Sequence, residues 1–153
     1  MVEWYKDKYL AIYFSRVPSV GVRIVLPTMD KELKENIAKK PFLNRERLLV
    51  NIEYQGKHYC FIIPKFYYWN GANIPRVFWR LIGAKTDPKF LIPSMIHDIL
   101  CENHCYIDNN RYLSSLIFRA LLKAGGVNPV TRWAMFHSVD NFQKFQKWES
   151  DKK

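Results

Sequence analysis

The sequence predicts an α+β fold: an N-terminal antiparallel sheet with one short helix, then three or four C-terminal helices packed on it. Three observations carry that expectation. Val50, Ile52 and Tyr54 alternate with Asn51 and Glu53 ahead of a Gln55-Gly56 turn, which is the period of a half-buried strand entering a hairpin. Beyond Pro75 the apolar residues recur at helical spacing instead. With 153 residues and 48% hydrophobic content, the chain has the means to bury one real core.

In chain order, residues 9–14 and 20–26 are β-branched or aromatic runs separated by Pro18 and Ser19, two strands able to pair with one another. Over 28–40 the period changes: Met29, Leu33 and Ile37 recur every fourth residue and Pro41 stops the helix. Residues 48–64 form the hairpin, and Phe66, Tyr67, Tyr68 and Trp69 extend it as an aromatic rim leading to Gly71. Pro75 opens a short helix that Gly83 ends. A second begins near Pro93 and reaches about Asn103, with Ile96, Ile99 and Leu100 on its apolar stripe. The third runs from Asp108 or Asn110 to Ala124, burying Leu113, Leu116, Ile117, Ala120 and Leu121, and Gly125-Gly126 terminates it. Asn128-Pro129 starts a fourth helix towards Phe145. Residues 1–148 read as a single domain and 149–153 as a frayed basic tail.

Composition excludes several classes. No run approaches the ~18 apolar residues of a membrane span, because His97, Asp98 and Lys65 interrupt the candidates. The first ten residues mix Glu3, Lys6, Asp7 and Lys8 with aromatics, unlike a secretory signal, so cytoplasmic synthesis is expected. Three cysteines, Cys60, Cys101 and Cys105, are too few for a disulfide framework and read as free thiols. The net charge of +10 favours polyanionic partners, yet the cations are dispersed, with no block of like charge that marks a nucleic-acid tail. Gly71, Gly83, Gly125 and Gly126 are spaced as turns and caps rather than as a phosphate loop, and no serine sits in a nucleophile elbow.

The chemically suggestive residues cluster around two segments. Asn70-Gly71-Ala72-Asn73-Ile74-Pro75-Arg76 suits a strand turning into a helix, and His97-Asp98 follows on the next helix. Divalent ions take imidazole and carboxylate ligands, so His97 and Asp98 could centre a metal-dependent hydrolase; equally, either could hold the Gly71 turn by hydrogen bonds. His97, Cys101 and His104 stand at i, i+4 and i+7, a zinc-type donor set that could converge only if the helix ended near Asn103. The rim Phe66 to Trp69 is a candidate surface for stacking bases or for contacting protein.

Together the two segments resemble a phage- and prophage-encoded family of unknown function whose members read Asp-Gly-Ala-Ser-Ile-Pro-Arg, then His-Asp-Tyr-Leu, then Ala-Asp before Ile-Phe; the likeness covers roughly residues 68–148. This chain has Asn70 and Asn73 in place of the first Asp and the Ser, and Ser114-Ser115 in place of Ala-Asp, so two carboxylates are missing. Neutral Asn70 and Ser115 can donate and accept hydrogen bonds but supply no charge to a metal or acid/base centre. The resemblance therefore implies a non-catalytic, phage-derived interaction protein, a virion component or assembly factor of the host cytoplasm or virion. It would act without a cofactor on other phage or host proteins. A metal-dependent hydrolase at His97/Asp98 and a nucleic-acid-binding accessory protein are the alternatives.

Overall fold

The computed structural model describes residues 1–70 and 88–143. Its order of elements is β1 (Val2–Lys6), β2 (Leu10–Phe14), β3 (Val20–Val22), α1 (Lys31–Lys39), β4 (Phe42–Asn44), β5 (Leu48–Tyr54), β6 (Lys57–Ile63) and β7 (Tyr68–Trp69). There follow α2 (Pro88–Glu102), a 3-10 turn (His104–Ile107), α3 (Arg111–Ala124) and α4 (Pro129–Gln143). This is the α+β architecture expected, with the antiparallel strands first and three of the four described helices last.

The strands form two sheets rather than one. The larger has the order β1-β2-β5-β6, all antiparallel, and the smaller has the order β3-β4-β7. Ile12 faces Ile52, Phe14 faces Val50 and Val50 faces Phe61, so one side of the larger sheet is a continuous apolar layer. Leu10, Ile12, Phe14, Leu48, Val50, Ile52, Phe61 and Ile63 are all buried there, packed with Leu91, Met95, Ile96, Ile99, Leu113 and Ile117 of the helices. Asn51 and Cys60, opposite one another in the register, fall on the other side by the two-residue alternation of a strand. The hairpin turns through Gln55 (φ 49°) and Gly56 (φ 76°), the paired positive φ of a two-residue turn that matches strand twist.

Four expectations are corrected. The runs at 9–14 and 20–26 do not pair with each other: β2 lies between β1 and β5, and β3 pairs with β4. The second run is a strand only over Val20–Val22; beyond it Ile24, Val25 and Leu26 are exposed, with no core face to drive pairing. The rim after the hairpin does not prolong β6, because the chain bends at Phe66 (φ 67°) and β7 crosses to β4. Buried Asn44 fixes that bend, its Nδ2 donating to the Ile63 and Pro64 carbonyls at 3.3 and 3.0 Å. Finally α2 begins at Pro88, not near Pro93. Pro93 lies inside the helix, where Phe90, Leu91, Ile92, Met95 and Ile96 are all buried and their burial outweighs the lost backbone bond.

The C-terminal helices otherwise follow the sequence closely. Asn110 caps α3 by accepting from the Leu113 amide at 3.0 Å, and Asn128 does the same at the start of α4 for the Thr131 amide at 2.9 Å. Gly125 closes α3 tightly against α2, since a Cβ there would stand 3.0 Å from that of Lys89. The helix expected from Pro75 to Gly83, the residues Gly71, Asn73, Pro75 and Arg76, and the tail 149–153 lie outside the described residues.

Candidate functional site

Helix α2 carries the residues singled out from the sequence, and its neighbours decide what each can do. Trp69, at the end of β7, is almost wholly buried and donates from Nε1 to Ser94 Oγ on α2 at 3.0 Å; Ser94 in turn donates to the Leu91 carbonyl at 2.9 Å. Tyr67 stacks on Trp69 with ring centroids 6.1 Å apart, and Phe42 lies against the same indole at 5.9 Å. The aromatic rim is therefore split by strand alternation. Tyr67 and Trp69 face inwards, while Phe66 and Tyr68 are exposed and each carries a cation, Lys65 at 5.0 Å and Arg23 at 4.0 Å from the ring centre. Asn70 follows Trp69 at the surface.

His97 and Asp98, adjacent in sequence, project about 100° apart around the helix and enter different surroundings. The His97 ring faces α3 and α4: Phe118 lies 5.3 Å from it, centroid to centroid, and Cys101 Sγ is 3.7 Å from Nε2 and 3.8 Å from Nδ1. Burial drives its pKa down to about 4, with the Gln143 amide acting in the opposite sense, so the imidazole is neutral at physiological pH. Asp98 belongs to the other flank, with Glu102 one turn on and Tyr67 and Lys40 within electrostatic reach. Burial and then the Glu102 charge raise its carboxyl to about 8, against a smaller opposing effect of Lys40. Burial and the Glu102 carboxylate likewise push the Tyr67 phenol far up.

Cys101 extends the His97 flank into a network between helices. Gln143 Nε2 donates to Cys101 Sγ at 3.3 Å and to Ser114 Oγ at 2.9 Å. Ser115 Oγ stands 2.8 Å from Gln143 Oε1 and 3.0 Å from Asp140 Oδ1, and one proton serves both acceptors. Asp140 also takes a short ion pair from Arg111, both side chains being 14% exposed. Ser115 thus ties α3 to α4; the turn after Asn70 lies outside the described residues.

The proposed zinc-type set separates. The helix does end at Glu102, but His104 begins the 3-10 turn, and among the described residues no three His, Cys, Asp or Glu side chains are gathered as ligands for one ion. Gln143, Asp140 and Arg111 are the site residues that sequence reasoning missed. Asp140 and Gln143 stand three residues apart, on one face at the end of α4, and that spacing is the signal the sequence carries.

An antiparallel sheet covered on one face by helices, with a buried polar network where the helices meet, makes this an α+β protein. The model of a family described as a protein of unknown function, DUF1353, matches residues 46–139, and the chain belongs to that family. The matched stretch contains β5 to β7, α2 and α3, and stops one residue before Asp140. The chain is also similar to the uncharacterized protein y4jT of Sinorhizobium fredii (strain NBRC 101917 / NGR234), at 30% identity over 73 residues, 48% of this chain. It spans about a fifth (21%) of that relative's length. No solved structure matches.

Proposed function

We propose that this chain is a non-catalytic protein-interaction module, a phage-derived virion component or assembly factor that binds another protein through its smaller sheet. The observation that carries this reading is the exposed apolar run at the edge of that sheet. Val22, Ile24, Val25 and Leu26 are 47, 72, 50 and 49% exposed, and Phe66 and Tyr68 are exposed as well. β3 has β4 on one side, and among the described residues its other edge is unpaired. Exposed apolar surface beside an open strand edge favours a protein partner. Arg23 and Lys65 over the two aromatic rings favour an acidic margin on that partner. The phage setting rests on the motif resemblance alone.

The hydrolase alternative requires His97 and Asp98 to act on one centre, and their divergence around α2 counts against it. The base-stacking alternative requires Tyr67 and Trp69 at the surface, and both pack inwards. Quantitative mass spectrometry of virions and assembly intermediates from the encoding phage is the test. The chain is expected in one of them at fixed stoichiometry, and the double variant Ile24→Lys/Val25→Asp should be depleted there with its melting temperature unchanged. Absence of the wild-type chain from both would overturn the proposal.

A further inference from the structure

A second surface, which shares no residue with the β3 edge, has the makings of a ligand site. The turn between β1 and β2 and the turn between β5 and β6 stand opposite α3 and the start of α4, enclosing a groove of about 540 Å³. That volume lies within the range of small-molecule sites. Its walls are aromatic: Tyr9, Tyr112 and Trp133 are 68, 50 and 65% exposed, with Tyr5 and Tyr54 beside them and buried Phe136 beneath. Six rings around one groove present far more flat apolar surface than a solvated turn region requires.

The charge in the groove is as one-sided as the rings are numerous. Arg119, Lys123 and Arg132 line it, and among the described residues none of the three has a carboxylate within ion-pair distance. Arg119 lies over the Phe136 ring at 4.8 Å and Arg132 donates to the Val127 carbonyl at 2.9 Å, which holds both guanidinium groups in place. Asp7, the one acid in the lining, is already engaged. It accepts from Tyr5 Oη at 2.5 Å, from the Tyr9 amide at 2.7 Å and from the Leu10 amide at 2.8 Å. The field of Arg119 and Arg132 reaches Tyr5, and that of Lys123 reaches Asp7, so the cations face across the groove.

From these observations we infer that the groove between the two β-turns and helices α3 and α4 binds a nucleotide, with its phosphate on Arg119, Lys123 and Arg132 and its base against Trp133, Tyr112 and Tyr9. Guanidinium groups recognise phosphate through paired N–H donors, and an aromatic face accepts any base. An apolar ligand without charge would cover the cations without matching them, and inorganic phosphate alone would leave the rings uncovered.

Isothermal titration of the full chain with AMP, adenosine and inorganic phosphate tests this. AMP should bind with a Kd of roughly 0.1 mM or below, and adenosine and phosphate at least about tenfold more weakly. Arg119→Gln/Lys123→Gln, both at exposed positions, should weaken AMP about tenfold or more and leave adenosine unchanged; Trp133→Ala should weaken both. Melting temperatures of these surface variants should match wild type. A short single-stranded deoxyadenosine oligomer decides the source. Competition with AMP assigns the site to nucleotides within a strand, and its failure assigns it to the free nucleotide. AMP binding no tighter than adenosine or phosphate, or unaffected by these variants, would overturn the inference.

Discussion

Gln143 on α4 donates to Cys101 on α2 at 3.3 Å, and the same amide reaches Ser114 on α3 at 2.9 Å. One side chain thereby joins the three C-terminal helices beside His97, a point where the sequence suggested chemistry. Gln143 and Ser114 are both fully buried, so removing the amide strands hydroxyl and thiol partners away from water. Gln143→Ala should cost roughly 1–3 kcal/mol in urea unfolding. A cost near zero would show that water replaces it.

The Arg111–Asp140 pair ties α3 to α4 in a largely buried setting. Asp140→Ala removes this ion pair and takes an acceptor from Ser115; it should destabilise by roughly 3 kcal/mol. Arg111→Met/Asp140→Leu, which removes both charges, should be markedly milder than the single change. Equilibrium denaturation of the two variants compares them directly.

His97 and Asp98 make opposite contributions to stability against pH. For His97 the folded pKa, about 4, lies below the unfolded value near 6.5, so the unfolded state holds the extra proton between them and stability rises with pH. For Asp98 the folded pKa, about 8, lies above the unfolded value near 3.9, so the folded state holds the extra proton and stability falls as pH rises. Between pH ~4 and ~6.5 the two slopes cancel. From pH ~6.5 to ~8 Asp98 acts alone, and stability should drop by roughly 2 kcal/mol. Asp98→Asn should flatten that limb in unfolding curves taken across the range. A variant with the wild-type slope would remove Asp98 as its cause.

The thiols should divide by burial. Cys60 and Cys105 are exposed, whereas burial, the Gln143 bond notwithstanding, pushes Cys101 up to about 12 with Asp98 and Glu102 adding to the rise. A thiol so far above neutral pH carries almost no thiolate. Ellman titration of native protein should find two reactive cysteines, and the third only on unfolding. Rapid reaction of a Cys60→Ser/Cys105→Ser variant would show that Cys101 is reached by solvent.

Trp69 and Ser94 bind the smaller sheet to α2. Trp69→Phe keeps most of the packing against Phe42 and Tyr67 but loses the Nε1 donor, leaving a net cost of about 1 kcal/mol beyond the change in buried area. In Ser94→Ala the indole N–H is the group left buried without its partner, and a cost of roughly 1–3 kcal/mol should appear as a lowered melting temperature.

Local pattern determined a great deal. Alternation at 48–54, the Gln55-Gly56 turn, the helix start at Asn128-Pro129 and the apolar face of α3 were legible because strand period, turn φ and cap chemistry are satisfied within a few residues; the start of α3 was narrowed to Asp108 or Asn110, and Asn110 is the cap. The α+β class followed from these same features.

Partnership was not legible, because it depends on which faces meet. Nothing between residues 9 and 26 says that β2 pairs with β1 and β5 instead of β3, since each run is apolar enough for either neighbour. Pro93 reads as a helix start by its own chemistry, and only burial against the sheet and α3 makes it an interior residue. That His97 and Asp98 are adjacent on a helix is legible from local pattern alone. Packing settles that they enter different surroundings, because a 100° step around α2 turns one side chain towards Phe118 and Gln143 and the other towards Tyr67 and Glu102, with Cys101 between them.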